Sequence, residues 1–145
     1  MSDIFRIPGH FRKWSEGNFP HFRCTIRIDG THFIRTELLL DTGSPFTPIT
    51  PKDYLKTRLH IKPDRAKICY LASAQFYRDP INDKVEYMLM AEDQKLHKFQ
   101  FDDAIFLVPI DDRIKHVQSI PSILGLNFLT KNNLRFFTDP AKEIA

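Results

Sequence analysis

Leu38-Leu39-Leu40-Asp41-Thr42-Gly43-Ser44 decides how the rest of the chain is read. Three leucines end a strand, and a single carboxylate follows at once on a turn that Gly43 permits. Aspartate is seldom buried unless it is paired or hydrogen-bonded, so a partner for Asp41 is expected. Upstream, Arg23 to Ile28 alternates, with Cys24, Ile26 and Ile28 on one face and Arg23, Thr25 and Arg27 on the other. Asp29-Gly30 is a hairpin turn signal. Thr31 to Leu40 returns, rich in β-branched and aromatic residues, and this second strand delivers Asp41.

Downstream, Pro45, Pro48 and Pro51 exclude a regular central strand at their positions. Thr50-Pro51-Lys52-Asp53 reads as a helix start, with Thr50 as N-cap and an acid at N3, and the helix is expected to reach about Leu59. Ala66 to Phe76 reads as one extended segment and Tyr77 to Asp83 as a turn. Val85 to Met90, Leu96 to Phe101 and the apolar run Ala104 to Ile110 read as strands, the last buried on both faces. Asp111 to Ser119 is a polar connection. A buried strand then ends at Gly125, a short helix runs to about Lys131, and Leu134 to Thr138 is expected to close the fold as a strand. This gives roughly seven or eight short strands and two short helices, an all-β domain.

The 145 residues suit one domain, and 42% hydrophobic content can build its core. Acidic and basic residues are interleaved and the net charge is only +3, which speaks against a nucleic-acid footprint. Cys24 and Cys69 are far apart and lack Cys-x-x-Cys spacing, as expected of reduced thiols, although one disulfide between them stays open. The N-terminus carries no long apolar core, and the longest apolar run, Ala104 to Ile110, is too short to span a bilayer. A cytoplasmic protein with no membrane contact is the expectation. The six histidines show no short ligand spacing, and there is no Gly-x-Ser-x-Gly or Gly-rich phosphate loop. No metal and no cofactor are therefore expected.

Asp41-Thr42-Gly43, with its apolar lead-in, is followed far downstream by Ile123-Leu124-Gly125-Leu126-Asn127-Phe128-Leu129. The pair resembles the retropepsin-like aspartic proteases, the single-lobe family that includes the retroviral enzymes, over roughly Arg23 to Thr138. The resemblance implies a small closed β-barrel of the acid-protease type with one or two short helices and one lobe per chain. Residues 23–138 would be the protease domain, 1–22 an N-terminal arm or covering segment, and 139–145 a tail.

In such enzymes two carboxylates about 3 Å apart share one proton and activate a water. The chain offers one Asp-Thr-Gly, so the resemblance implies a homodimer, with Asp41 from each copy around a two-fold axis and a peptide or protein as substrate. Thr42 would hydrogen-bond across that axis and Gly43 would let the backbone approach the substrate. Ser44 would donate to the outer oxygen of Asp41. Ile123, Leu124 and Gly125 would support the site. Phe46, Tyr70, Phe76 and Tyr77 would contact substrate, the last three from a flap between about Ile68 and Val85 whose tip lies near Phe76 to Asp83. No glycine lies between Gly43 and Gly125, so the flap would be stiff. Retroviral members carry an ion pair at the positions of Pro45 and Leu126; here both are apolar. The expected function is an aspartic endopeptidase. The alternative is a catalytically weak or inactive dimer that binds peptides or mediates assembly.

Overall fold

Asp29-Gly30 is a hairpin turn, with φ of 54° and 66°. Asp and Gly are the residues that enter this left-handed region at least cost. A computed structural model describes residues 4–14, 17–59, 61, 63, 67–72, 74–111 and 115–137. In chain order the strands are β1 (His10–Trp14), β2 (Gly17–Ile28), β3 (His32–Asp41) and β4 (Thr47–Ile49), followed by the short helix α1 (Pro51–Tyr54). Then come β5 (Lys67–Leu71), β6 (Ala74–Pro80), β7 (Val85–Met90), β8 (Leu96–Gln100) and β9 (Ala104–Pro109). A 3-10 turn (Lys115–Ser119), β10 (Ile123–Gly125) and α2 (Leu126–Lys131) complete the described elements.

The chain is mostly β, but the described strands form two sheets rather than the single closed barrel expected. The larger has the order β10-β3-β2-β7-β8, with β1 paired to β2; the smaller has the order β4-β9-β6-β5. Residues of both sheets meet in one core around Ile26, Ile34, Leu38, Ile49, Tyr87, Phe106 and Phe128. Tyr87 packs edge-on against Phe101 and Phe128, an arrangement worth about 0.5–1.5 kcal/mol per pair beyond area burial. A second cluster, Ala74, Phe76, Ile105, Leu107, Val117 and Ile120, covers the other face of the smaller sheet.

Several elements differ from the sequence reading. The stretch up to Phe22, read as irregular, holds β1 and the start of β2, so the expected boundary at residue 22 falls inside a strand. Its leading residues lie on their own sheet: Phe5 stacks on His97, and the Glu92 N–H donates to the Arg6 carbonyl. Pro48 sits in a strand that is a sheet edge and not a central one, as its missing N–H requires. The described residues of 66–76 are not one extended segment: β5 and β6 form a hairpin, with Leu71 opposite Ala74. Residues 76–80 pair with β9 and are not a turn. The helix α1 ends at Tyr54, with turns on to residue 58, and 134–137 carry no strand. Thr138 and the tail 139–145 lie outside the described residues. Among the described residues, no helix is long and apolar enough to cross a membrane.

Candidate active site

Asp41 is the last residue of β3, and β10 runs parallel beside it, with Ile123, Leu124 and Gly125 opposite Leu39, Leu40 and Asp41. Two segments more than eighty residues apart in sequence therefore meet at the acid. The Gly43 N–H donates to Asp41 Oδ1 at 2.9 Å, and the Ser44 N–H donates to the Asp41 carbonyl at 3.1 Å. The first bond fixes the orientation of the carboxylate and the second closes the turn. Asp41 is half-buried, while Thr42 and Gly43 are exposed. A Cβ on Gly43 would lie 3.2 Å from Asp41 Oδ1, so a side chain there would crowd the carboxylate.

The turn is backed from below. The Leu126 N–H donates to the Ser44 carbonyl at 2.8 Å. Thr47, fully buried, accepts from the Gly125 N–H at 3.1 Å and donates its own hydroxyl to Asn127 Oδ1 at 2.6 Å. Gly125 has no room for a side chain, since a Cβ would sit 1.9 Å from the Phe46 carbonyl oxygen. Thr47 and Asn127 were not singled out by the sequence reading. Asn127 lay inside the quoted motif, but nothing in sequence pairs it with a threonine eighty residues earlier.

A second lock sits behind this one. Thr50 is expected as the N-cap of α1 with Asp53 at N3, yet Thr50 makes no side-chain cap bond. Its hydroxyl donates to the Ile120 carbonyl, and Ser122 intervenes: Ser122 Oγ accepts from the Thr50 N–H at 3.0 Å and donates to Asp53 Oδ2. Asp53 is fully buried and is also met by Lys52 and Lys56. The capping residue is thus borrowed from the segment that leads into β10.

The remaining expected site residues divide. Ser44 donates its hydroxyl to the Phe46 carbonyl at 2.8 Å, not to Asp41; its one proton is engaged within its own loop. Phe46 stands at the rim, 39% exposed, with the Arg78 guanidinium over its ring. Leu126 is also exposed beside the turn. Tyr70 and Tyr77 share one face of the β5–β6 hairpin, Tyr70 opposite Gln75 and Tyr77 opposite Ile68. Phe76 has the other parity. It is fully buried in the second cluster, so its ring packs inward and does not cover a cleft from the face of the tyrosines. The hairpin turn lies between Leu71 and Ala74, not near 76–83. Val117 and Ile120 fill the face of the hairpin that carries Phe76, and His116 Nε2 donates to the Ala72 carbonyl at 2.9 Å.

Behind the site, His21 on β2 is opposite Leu39 and buried, and burial pushes its imidazole down to about 4. Arg12 ion-pairs with Glu37 and holds that carboxyl below the usual carboxylate range, against a smaller opposing effect of burial. A cavity of about 300 Å³ opens beside these groups, lined by Arg12, His21, Glu37, Lys52 and Lys56 among others. Its cations are already matched by Glu37 and Asp53. Cys24 is buried and its thiol is pushed up to about 12 by burial, which suits packing and not nucleophilic chemistry. Cys69 is half-buried, and both thiols are free. The chain matches no family model and no curated protein.

Proposed function

We propose that the chain is one half of a homodimeric aspartic endopeptidase of the acid-protease type. Asp41 of each copy would supply one carboxylate of a dyad, and a water held between them would attack the scissile peptide bond. The observation that carries this reading is the seat of Asp41: a strand end, its carboxylate oriented by the Gly43 N–H, its turn braced by Gly125 on a parallel strand. Turn aspartates commonly accept such an amide; the parallel strand and the close approach of Gly125 are what set this turn apart. The half-burial of Asp41 and the exposure of Thr42 and Gly43 leave that edge open to a second copy. Tyr70 and Tyr77 on the β5–β6 hairpin are its candidate covering residues. No cofactor enters this chemistry, and two free thiols are in keeping with a reducing, cytoplasmic setting.

The second reading is a dimer that holds peptides without cutting them. Incubation of the protein with an unstructured substrate between about pH 3 and about pH 7, beside Asp41→Asn, separates the two readings. Both proteins are first checked for dimer mass. Cleavage by the wild type alone, with an acidic optimum, is expected of the enzyme. A folded wild-type dimer that cuts nothing supports the non-cutting one.

A further inference from the structure

Phe46 and Arg78 come from the two elements that flank a bound peptide in the proposed reading. Phe46 follows the Asp41 turn, and Arg78 lies on β6, on the face of Phe76 and opposite to that of Tyr70 and Tyr77, so Phe46 and Arg78 meet at the rim and not under the tyrosines. Arg78 Cζ is 4.3 Å from the centre of the Phe46 ring. Arg78 pairs with Leu107 on β9, and β9 separates β6 from β4. The side chain therefore reaches across a strand to bring its charge back to the Asp41 loop.

The charge is incompletely matched there. Arg27, also half-buried, is ion-paired with Glu86, and Arg12 with Glu37. Among the described residues, no carboxylate lies within ion-pair distance of Arg78. A phenyl ring attracts the cation but offers its N–H groups no lone pair. A half-buried guanidinium with a planar fork of donors is suited to take a carboxylate bidentately. Two exposed apolar side chains, Phe46 and Leu126, stand beside the Asp41 turn.

We infer that Arg78, seated on Phe46, is a specificity-determining residue: it receives the carboxylate of an Asp or Glu side chain of the peptide, in a subsite beside the Asp41 turn. This rests on the reading of Asp41 as the acid of a peptidase. The substrate class is then a peptide with apolar residues at the scissile bond and an acidic residue close to it. Phe46 would pack on the methylenes of that acid while Arg78 holds its head.

The test uses a set of peptides of one apolar sequence in which Glu or Gln is placed at each position in turn. Cleavage is measured with the wild type and with Arg78→Gln, Arg78→Lys and Arg78→Glu. Binding of the same peptides is measured with Asp41→Asn, alone and combined with each Arg78 change. The expected result is a preference of about tenfold or more for Glu at one position, lost in Arg78→Gln and partly kept in Arg78→Lys. In Arg78→Glu the preference turns toward Lys at that position. A Glu preference that the Arg78 changes leave unmoved, or none in either cleavage or binding, overturns the inference. Peptides that bind with Arg78-dependent preference yet are never cut keep the subsite and overturn the peptidase reading. If Arg78→Glu fails to fold, the contrast between Lys and Gln decides.

Discussion

Two turns carry the proposed chemistry, and they are built differently. The Asp41 turn is held by its own Gly43 and Ser44 amides and by the Leu126 amide from α2. Gly125 presses on it from below, and Thr47 and Asn127 tie Gly125 in place. The β5–β6 turn has its ladder, a bond from Gln75 Nε2 to the Tyr70 hydroxyl, and His116 on the Ala72 carbonyl. Ile68 and Tyr70 beside it are 59% and 73% exposed. The contrast suits an acid that must be pre-positioned and a cover that must move. Reacting groups are placed by rigid surroundings, while lids come from the least stable parts of a fold.

The sharpest way to break the contrast is Gly125→Ala. The added Cβ would fall 1.9 Å from the Phe46 carbonyl oxygen, and backbone cannot rotate away as a side chain does. The Asp41 loop must shift or β10 must leave its register, so a loss of about 3 kcal/mol or more is expected in denaturant unfolding. A loss below about 1 kcal/mol would mean that β10 does not press on the loop as described. Next in size is Ser122→Ala. It leaves the Thr50 N–H and one oxygen of Asp53 without their shared partner, at a cost of about 1–3 kcal/mol.

These contacts also show what can be read in a linear sequence. The Asp29-Gly30 turn, the alternation of Arg23 to Ile28 and the apolar run of β9 are local patterns, and each lies in a turn or strand as read. Asp41 at a strand end and Gly125 before a helix were legible for the same reason. Ser122 as a substitute cap was not, because it acts on Thr50 from a segment seventy-two residues away. The two-sheet layout depends on which strands pair, and alternation says nothing of partners. Phe76 was misplaced because the β5–β6 turn lacks glycine: Ala72 takes φ of 50° itself, so the parity of the hairpin was unreadable. The cap expected from Thr50 and Asp53 was locally correct in residue type and was overridden by tertiary bonds.

The pH dependence of the scaffold behind Asp41 comes third, since it vanishes at neutral pH. His21 titrates at about 4 when folded and near 6.5 when unfolded. Above about 6.5 neither state holds the proton, and stability is complete. Between about 6.5 and about 4 the unfolded chain binds a proton that the folded chain refuses, so stability falls as pH falls. Below about 4 this contribution is fully lost and levels off. Thermal unfolding across that window should show the decline in the wild type and a flatter profile in His21→Gln. Equal slopes in the two proteins would show that His21 is not the group responsible. The decline falls in the acidic range where a carboxylate dyad works, so the protein is expected to lose scaffold stability as its dyad becomes active.

The smallest effect is also the most local. Ala72 stands in the left-handed region, which costs a residue with a Cβ about 1 kcal/mol, and His116 donates to its carbonyl. His116 is exposed, so water competes for the bond, and removing it is worth about 1 kcal/mol. His116→Ala should therefore leave global unfolding within about 0.5 kcal/mol of the wild type, because the bond it removes lies at an exposed turn. Amide exchange should show the change where stability measurements do not. Leu71 and Ala74, which face each other at the turn, should exchange about fivefold faster, while Gly43 and Ser44 keep their wild-type rates. Faster exchange at all four would join the two turns into one cooperative unit and remove the contrast between a fixed acid and a movable cover. No change at Leu71 and Ala74 would mean that the ladder alone holds the hairpin. The Val117 and Ile120 packing would then be the place to look for what keeps it closed.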